Sequence, residues 1–158
     1  MTKPLTKKPE KLIIKNIFLA DDDEDDVSIF QDMLKEVGPE IKLSIFSDGN
    51  ELISHLQYLL PDLLFLDLDM PRKNGLECLL SIRKNPASEN LPVIVFSSTT
   101  RQANIQTAYE MGAHLFLIKS PAFTEYRASI KAVLELGWSD PAAVKEQYCV
   151  NGRYTPFV

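Results

Sequence analysis

Leu63-Leu64-Phe65-Leu66-Asp67 sets four apolar residues in a row and then stops at a carboxylate. The same break recurs along the chain: Ile17-Phe18-Leu19-Ala20 ends at Asp21-Asp22, Val93-Ile94-Val95-Phe96 at Ser97-Ser98, and Leu115-Phe116-Leu117-Ile118 at Lys119. Short continuous apolar runs separated by helical stretches read as buried parallel strands. Ligands of an open α/β sheet bind outside the carboxyl ends of its strands. Carboxylates, hydroxyls and an amine delivered to one sheet edge therefore predict a charged pocket.

Between these runs the apolar period changes to that of a helix. Asp25 to Val37 places Val27, Phe30, Leu34 and Val37 on one face and halts at Gly38-Pro39. Ile41 to Phe46 reads as a further strand, and Asp48 to Leu59 as a helix capped by Ser47 or Asp48. Met70 to Asn74 reads as a turn, Leu76 to Lys84 as a helix ending before Pro86, and Arg101 to Met111 as a helix ended by Gly112. Phe123 to Leu136 is the last helix of the alternation, with Gly137 at its end. This pattern predicts an α/β, doubly wound (βα)5 parallel sheet with helices on both faces.

At 158 residues, 45% hydrophobic and 25% charged, the chain has the composition of one globular domain. The expected organisation is a basic flexible leader over 1–15, a folded unit over 16–137 and a C-terminal tail over 138–158. The tail holds Trp138, Tyr148, Tyr154 and Phe157, which can dock on their own domain or on a partner. No apolar stretch approaches the roughly 20 residues of a membrane span. The leader has lysines but no apolar core, so it is not read as a signal peptide. A net charge of −5 argues against nucleic acid as a ligand. Cys78 and Cys149 lack metal-ligand spacing and read as free thiols of a reducing compartment, which places the protein in the cytoplasm. His55 and His114 read as helix-surface or strand-start residues.

The run Asp21-Asp22-Asp23-Glu24-Asp25-Asp26 is costly as packing, because adjacent carboxylates repel. A helix N-terminus under Glu24 to Asp26 offsets about 0.3–1 kcal/mol for each. A hard cation at the strand end relieves the rest, and Mg2+ suits a site with few carboxylates and several waters. Asp67 ends a strand expected beside the first, and with Mg2+ bound it can attack phosphorus and form an aspartyl phosphate. Such transfer needs positioning and charge neutralisation on the phosphoryl oxygens. Mg2+, the Lys119 ammonium and the Ser97 hydroxyl supply three such contacts.

The segments Phe18 to Asp26, Asp62 to Glu77, Leu91 to Ser98 and Gly112 to Pro121 together resemble the receiver domain of two-component response regulators, of the single-domain, chemotaxis-type kind. That resemblance implies a flavodoxin-like sheet of strand order 2-1-3-4-5 and a phosphoacceptor at Asp67. It implies Mg2+ held by Asp21, Asp22, Asp67 and the backbone carbonyl of Asp69, with Ser97 and Lys119 on the phosphoryl group. Ser97 and Phe116 match the switch pair, the aromatic ring swinging inward on activation. Asp69 and Thr99 match positions that tune dephosphorylation. The implied partners are a sensor histidine kinase or a histidine phosphotransfer protein, with a homodimer on phosphorylation and neither nucleic acid nor membrane. Turnover of an external substrate is not implied. Ser120 departs from the pattern, which follows its lysine directly with proline. Where a cis bond is needed there, Ser120-Pro121 is the least costly place.

Three rivals fit less well. Asp67-Leu68-Asp69 matches the nucleophile motif of haloacid-dehalogenase-type phosphatases, but Pro71 stands where that class has threonine or valine, and no acidic pair follows Lys119. A nucleotide-binding flavodoxin-like module needs a glycine- or hydroxyl-rich loop where this chain has carboxylates. A non-phosphorylated receiver-like scaffold typically lacks the acceptor or the acidic pair, and both are here.

Overall fold

A computed structural model of the chain describes residues 12–157. The leader up to Lys11, with most of its lysines, and Val158 lie outside the described residues. Five strands and five helices alternate: β1 (Asn16–Ala20), α1 (Glu24–Val37), β2 (Lys42–Phe46), α2 (Gly49–Leu56), β3 (Leu63–Leu66), α3 (Gly75–Lys84), β4 (Val93–Ser97), α4 (Gln102–Glu110), β5 (Leu115–Ile118) and α5 (Phe123–Leu134). The strands form one parallel sheet in the order β2-β1-β3-β4-β5, as expected.

Alternation along each strand divides the core in two. Phe18, Ala20, Leu64, Leu66, Val93, Val95 and Phe116 face the side covered by α2, α3 and α4. Ile17, Leu19, Leu63, Phe65, Ile94, Phe96, Leu115 and Leu117 face the side covered by α1 and α5. Strands buried on both faces have no polar side to show, which is why they read as unbroken apolar runs.

Helix ends differ from expectation where a local hydrogen bond intervenes. Asp23 caps α1, its carboxylate accepting from the Asp25 and Asp26 amides, so the helix begins at Glu24. Asp48, not Ser47, caps α2 by accepting from Glu51 N–H. That helix stops at Leu56 rather than Leu59, because Tyr58 and Leu59 both donate to His55 C=O and close the turn. Tyr58 and Leu59 are exposed, so no burial favours continuing. α5 ends at Leu134, two residues early, where Leu136 N–H donates to Val133 C=O in a tighter turn. No cis peptide occurs among the described residues, so both bonds flanking Ser120 are trans. The Ser120 hydroxyl accepts from Ala122 N–H at 3.2 Å and turns the chain into α5. His114 stands at the start of β5, where burial and the nearby Arg83 and Lys145 cations lower its pKa to about 3. Its Nδ1 lies 3.1 Å from the Val93 amide that donates to it.

The tail docks on its own domain. Trp138 is buried among Ile130, Val133 and Val144, and its indole N–H donates to Val133 C=O at 2.7 Å. A short helix α6 (Pro141–Gln147) and a hairpin of β6 (Cys149–Val150) and β7 (Arg153–Tyr154) follow. The hairpin lies on α4, with the Tyr154 ring stacked on Tyr109 at 4.6 Å. Beyond it the chain runs along the open edge of β5: Phe157 N–H donates to Phe116 C=O at 2.7 Å. The Tyr109 hydroxyl fills the remaining gap, accepting from Phe116 N–H and donating to Thr155 C=O, each at 3.0 Å. Both backbone groups of Phe116 are thus satisfied on the outer edge of the sheet.

Tyr109→Phe leaves a buried amide and a carbonyl without that bridge, which costs about 1–3 kcal/mol. Urea denaturation should show this loss, and hydrogen exchange at the Phe116 amide should accelerate more than at β1 or β3.

Candidate functional site

Sheet register assembles the carboxylates. Ala20 pairs with Leu66, so the residues that follow, Asp21 and Asp67, emerge side by side. Their backbones are pinned: Asp67 N–H donates to Ala20 C=O at 2.9 Å and Asp21 N–H to Phe46 C=O at 3.0 Å. One oxygen each from Asp21, Asp22 and Asp67 lies within 4.8 Å of the others. Asp21 and Asp67 are 1% and 6% exposed, which makes their charges expensive, while Asp22 opens to water. Gly75 begins α3 against this strand end, where a Cβ would collide with the Asp67 carbonyl oxygen. Its own amide donates to Leu68 C=O at 2.9 Å.

Lys119 arrives from β5, on the far side of β4. Ser97 pairs with Ile118, and Lys119 N–H donates to Ser97 C=O at 2.8 Å, which aims the lysine back across the strand ends. Its ammonium donates to Asp21 Oδ2 at 2.9 Å and to Asp26 Oδ2 at 2.8 Å, and stands 3.8 Å from Asp67 Oδ1. The ammonium also sits 4.7 Å above the Phe96 ring, which stacks on Tyr126. In the sequence Asp26 reads only as one of six adjacent carboxylates, not as a lysine partner. Its place three residues after the Asp23 cap was the available signal, since side chains in a first turn can fold back towards the strand end.

Other expected residues stand as follows. Ser97 is buried, and its hydroxyl accepts from Thr99 N–H at 3.2 Å. The Thr99 hydroxyl accepts from Arg101 N–H and Asn104 Nδ2, each at 3.3 Å, at the entry to α4. The Asp69 carboxylate is exposed and outside the three-carboxylate cluster. Phe116 is fully buried on the α4 side.

The cluster carries more negative charge than Lys119 can balance. Burial, opposed by Lys119 and reinforced by the Asp21 charge, raises the Asp67 pKa to about 7. Burial alone would lower Lys119, yet hydrogen bonds to Asp26 and Asp21 outweigh it and leave the ammonium raised. Hard oxygen donors in this number, one side open to water, fit a Mg2+-type cation. Beside the cluster, a groove of about 780 Å³ runs between the end of β5 and α5, walled by Ile118, Lys119, Pro121, Ala128, Ala132 and Phe157.

The family profile described as response regulator receiver domain matches residues 17–131, which include every element from β1 into α5. The chain belongs to the response regulator receiver domain family. This receiver is similar to response regulator Rcp1 of Synechocystis sp., with 31% identity over 113 residues, 67% of this chain and 77% of that one. The Mn(2+)-bound crystal form of Rcp1 superposes with a TM-score of 0.70 at 28% identity, covering 75% of this chain and 91% of that chain. The phosphorylated cyanobacterial phytochrome response regulator RcpA gives 0.74 at 27% identity, covering 80% and 96%. The cyclic di-GMP phosphodiesterase response regulator RpfG of Xanthomonas campestris is 30% identical over 121 residues, but these are only 32% of its length. The receiver is therefore a module of two-component signalling, whichever output its relatives carry. No helix among the described residues is long and apolar enough to cross a membrane.

The Asp67 pKa has a sign that can be tested. Folded Asp67 keeps its proton up to about pH 7, whereas an unperturbed aspartate loses it near 3.8. Between these values the folded state binds more protons, so stability falls as pH rises. With chelator present, the melting temperature of wild type relative to Asp67→Asn should drop across this window. A pH-independent difference would contradict the burial argument.

Proposed function

We propose that this receiver accepts a phosphoryl group on Asp67, from a sensor histidine kinase or a histidine phosphotransfer protein, in a Mg2+-dependent reaction. The observation that carries the reading is the convergence of Asp21, Asp22, Asp67, Lys119 and Ser97 on one sheet edge. Asp21, Asp22, Asp67 and the Asp69 carbonyl would hold the cation. When bound, it neutralises charge on the phosphoryl oxygens. An Asp67 oxygen attacks phosphorus, the bond from phosphorus to the donor nitrogen breaks, and its electron pair leaves with the imidazole. The Lys119 ammonium and the Ser97 hydroxyl then bind the new oxygens. Hydrolysis reverses the modification when water attacks phosphorus and the Asp67 carboxylate leaves, with Asp69 and Thr99 flanking the approach.

Ser97 reaches the phosphoryl group by giving up Thr99 N–H, which loosens the entry to α4. Phe116 is already inward, so this movement tightens a buried ring rather than drawing one in. The signal then leaves through α4 and the tail that Tyr109 joins to β5. We read the protein as a regulator that works in the cytoplasm by protein contact, self-association or onward phosphotransfer. It catalyses only its own phosphorylation and dephosphorylation.

Incubated with Mg2+ and a small phosphodonor, the wild type should gain one phosphoryl mass that Asp67→Asn does not, as read by intact-mass spectrometry. Equal labelling of both would remove Asp67 as the acceptor. Ser97→Ala should still accept phosphate yet lose phosphorylation-dependent self-association in analytical ultracentrifugation, whereas a response equal to wild type would exclude Ser97 from the switch.

A further inference from the structure

Asp26 lies outside the acidic pair and the acceptor, yet it makes the shortest contact to Lys119, at 2.8 Å. Both oxygens of Asp21 are engaged: Oδ2 accepts from Lys119 at 2.9 Å, and Oδ1 accepts from Asp23 N–H at 3.0 Å. A cation held by Asp21, Asp22 and Asp67 competes with Lys119 for the same carboxylate. The displaced ammonium stays in a protected place, since its side chain is only 13% exposed and rests over Phe96. An ammonium so buried needs a carboxylate, and Asp26 is the one it already holds that the cation does not use.

We propose that Asp26 is a positioning residue for Lys119: it keeps the ammonium anchored when the cation takes Asp21, and so leaves a lysine proton free for the phosphoryl group. This rests on the reading of Asp67 as phosphoacceptor with Mg2+ beside it. Asp26 suits the task for three local reasons. The Asp23 cap fixes its backbone, its amide donating to Asp23 Oδ1 at 3.1 Å. The helix N-terminus favours its negative charge. Its side chain, 34% exposed, keeps one side in water while the other meets the ammonium. Without Asp26, Lys119 has only Asp21 and Asp67 to pair with, and it holds both against the cation.

The test is a double-mutant cycle on Mg2+ affinity, measured by calorimetry on the whole chain without phosphodonor. Asp26→Asn should weaken Mg2+ binding about tenfold, the scale on which residues behind metal ligands act. Asp25→Asn removes the same charge from the same turn, at an exposed carboxylate with no ion pair among the described residues, and should weaken it less than about threefold. In a Lys119→Met background, Asp26→Asn should do no more than Asp25→Asn. Equal effects of the two variants in wild type would overturn the proposal. An Asp26→Asn effect that persists without Lys119 would also overturn it, because Asp26 would then act by charge alone. Mg2+ failing to bind wild type would overturn both this proposal and the metal reading. Mg2+ binding with no Asp67 labelling would overturn the phosphoacceptor reading alone.

Discussion

Two carboxylates buried side by side at the ends of β1 and β3 are the constraint around which the rest of the structure is arranged. Their repulsion is set by register and cannot be relaxed without slipping a strand that is buried on both faces. A slip of one residue would turn every apolar side chain to the opposite layer. The chain meets the repulsion by routing a lysine from two strands away, and by opening α1 with a cap that collects a further carboxylate on that lysine. Burial and, to a smaller extent, the Asp21 charge still raise the Asp67 pKa against the pull of Lys119. A divalent cation and a phosphoryl group therefore meet a site already organised for charge exchange.

The second organising feature is the open edge of the sheet. An edge strand offers unpaired amides and carbonyls to any passing strand, and proteins cover or blunt such edges. Here β5 is covered from within, by Phe157 on the Phe116 carbonyl and by a tyrosine hydroxyl standing in for a missing strand bond. Lys145 adds to the seal by donating to Tyr109 C=O at 2.6 Å, with its ammonium over the Tyr154 ring. The surface next to α4 thus includes the tail.

These two features differ in how they relate to other receivers. The family match ends at residue 131, within α5, so the charged site lies inside it and the tail outside. The phosphorylation chemistry belongs to the matched part. The cover on β5, with Trp138 as its anchor and Tyr154 and Phe157 as its contacts, lies beyond that part.

The sequence by itself determined the sheet, because strands buried on both faces must be apolar throughout, and the helices between them carry their period and caps in plain view. It determined the chemical type of the site too, since Asp67, Asp21, Ser97 and Lys119 each sit where an apolar run breaks. It could not choose between Ser47 and Asp48 as a cap, or place the ends of α2 and α5, because those rest on single hydrogen bonds of the last turn. Only the tertiary structure decided that Lys119 holds Asp26, that Phe116 is already buried, and that the tail lies on its own domain. Each of these depends on residues far apart in sequence meeting at a surface, where hydrogen-bond geometry and the space left by neighbouring elements select the partner. Local propensity and hydrophobic period carry no information about that choice.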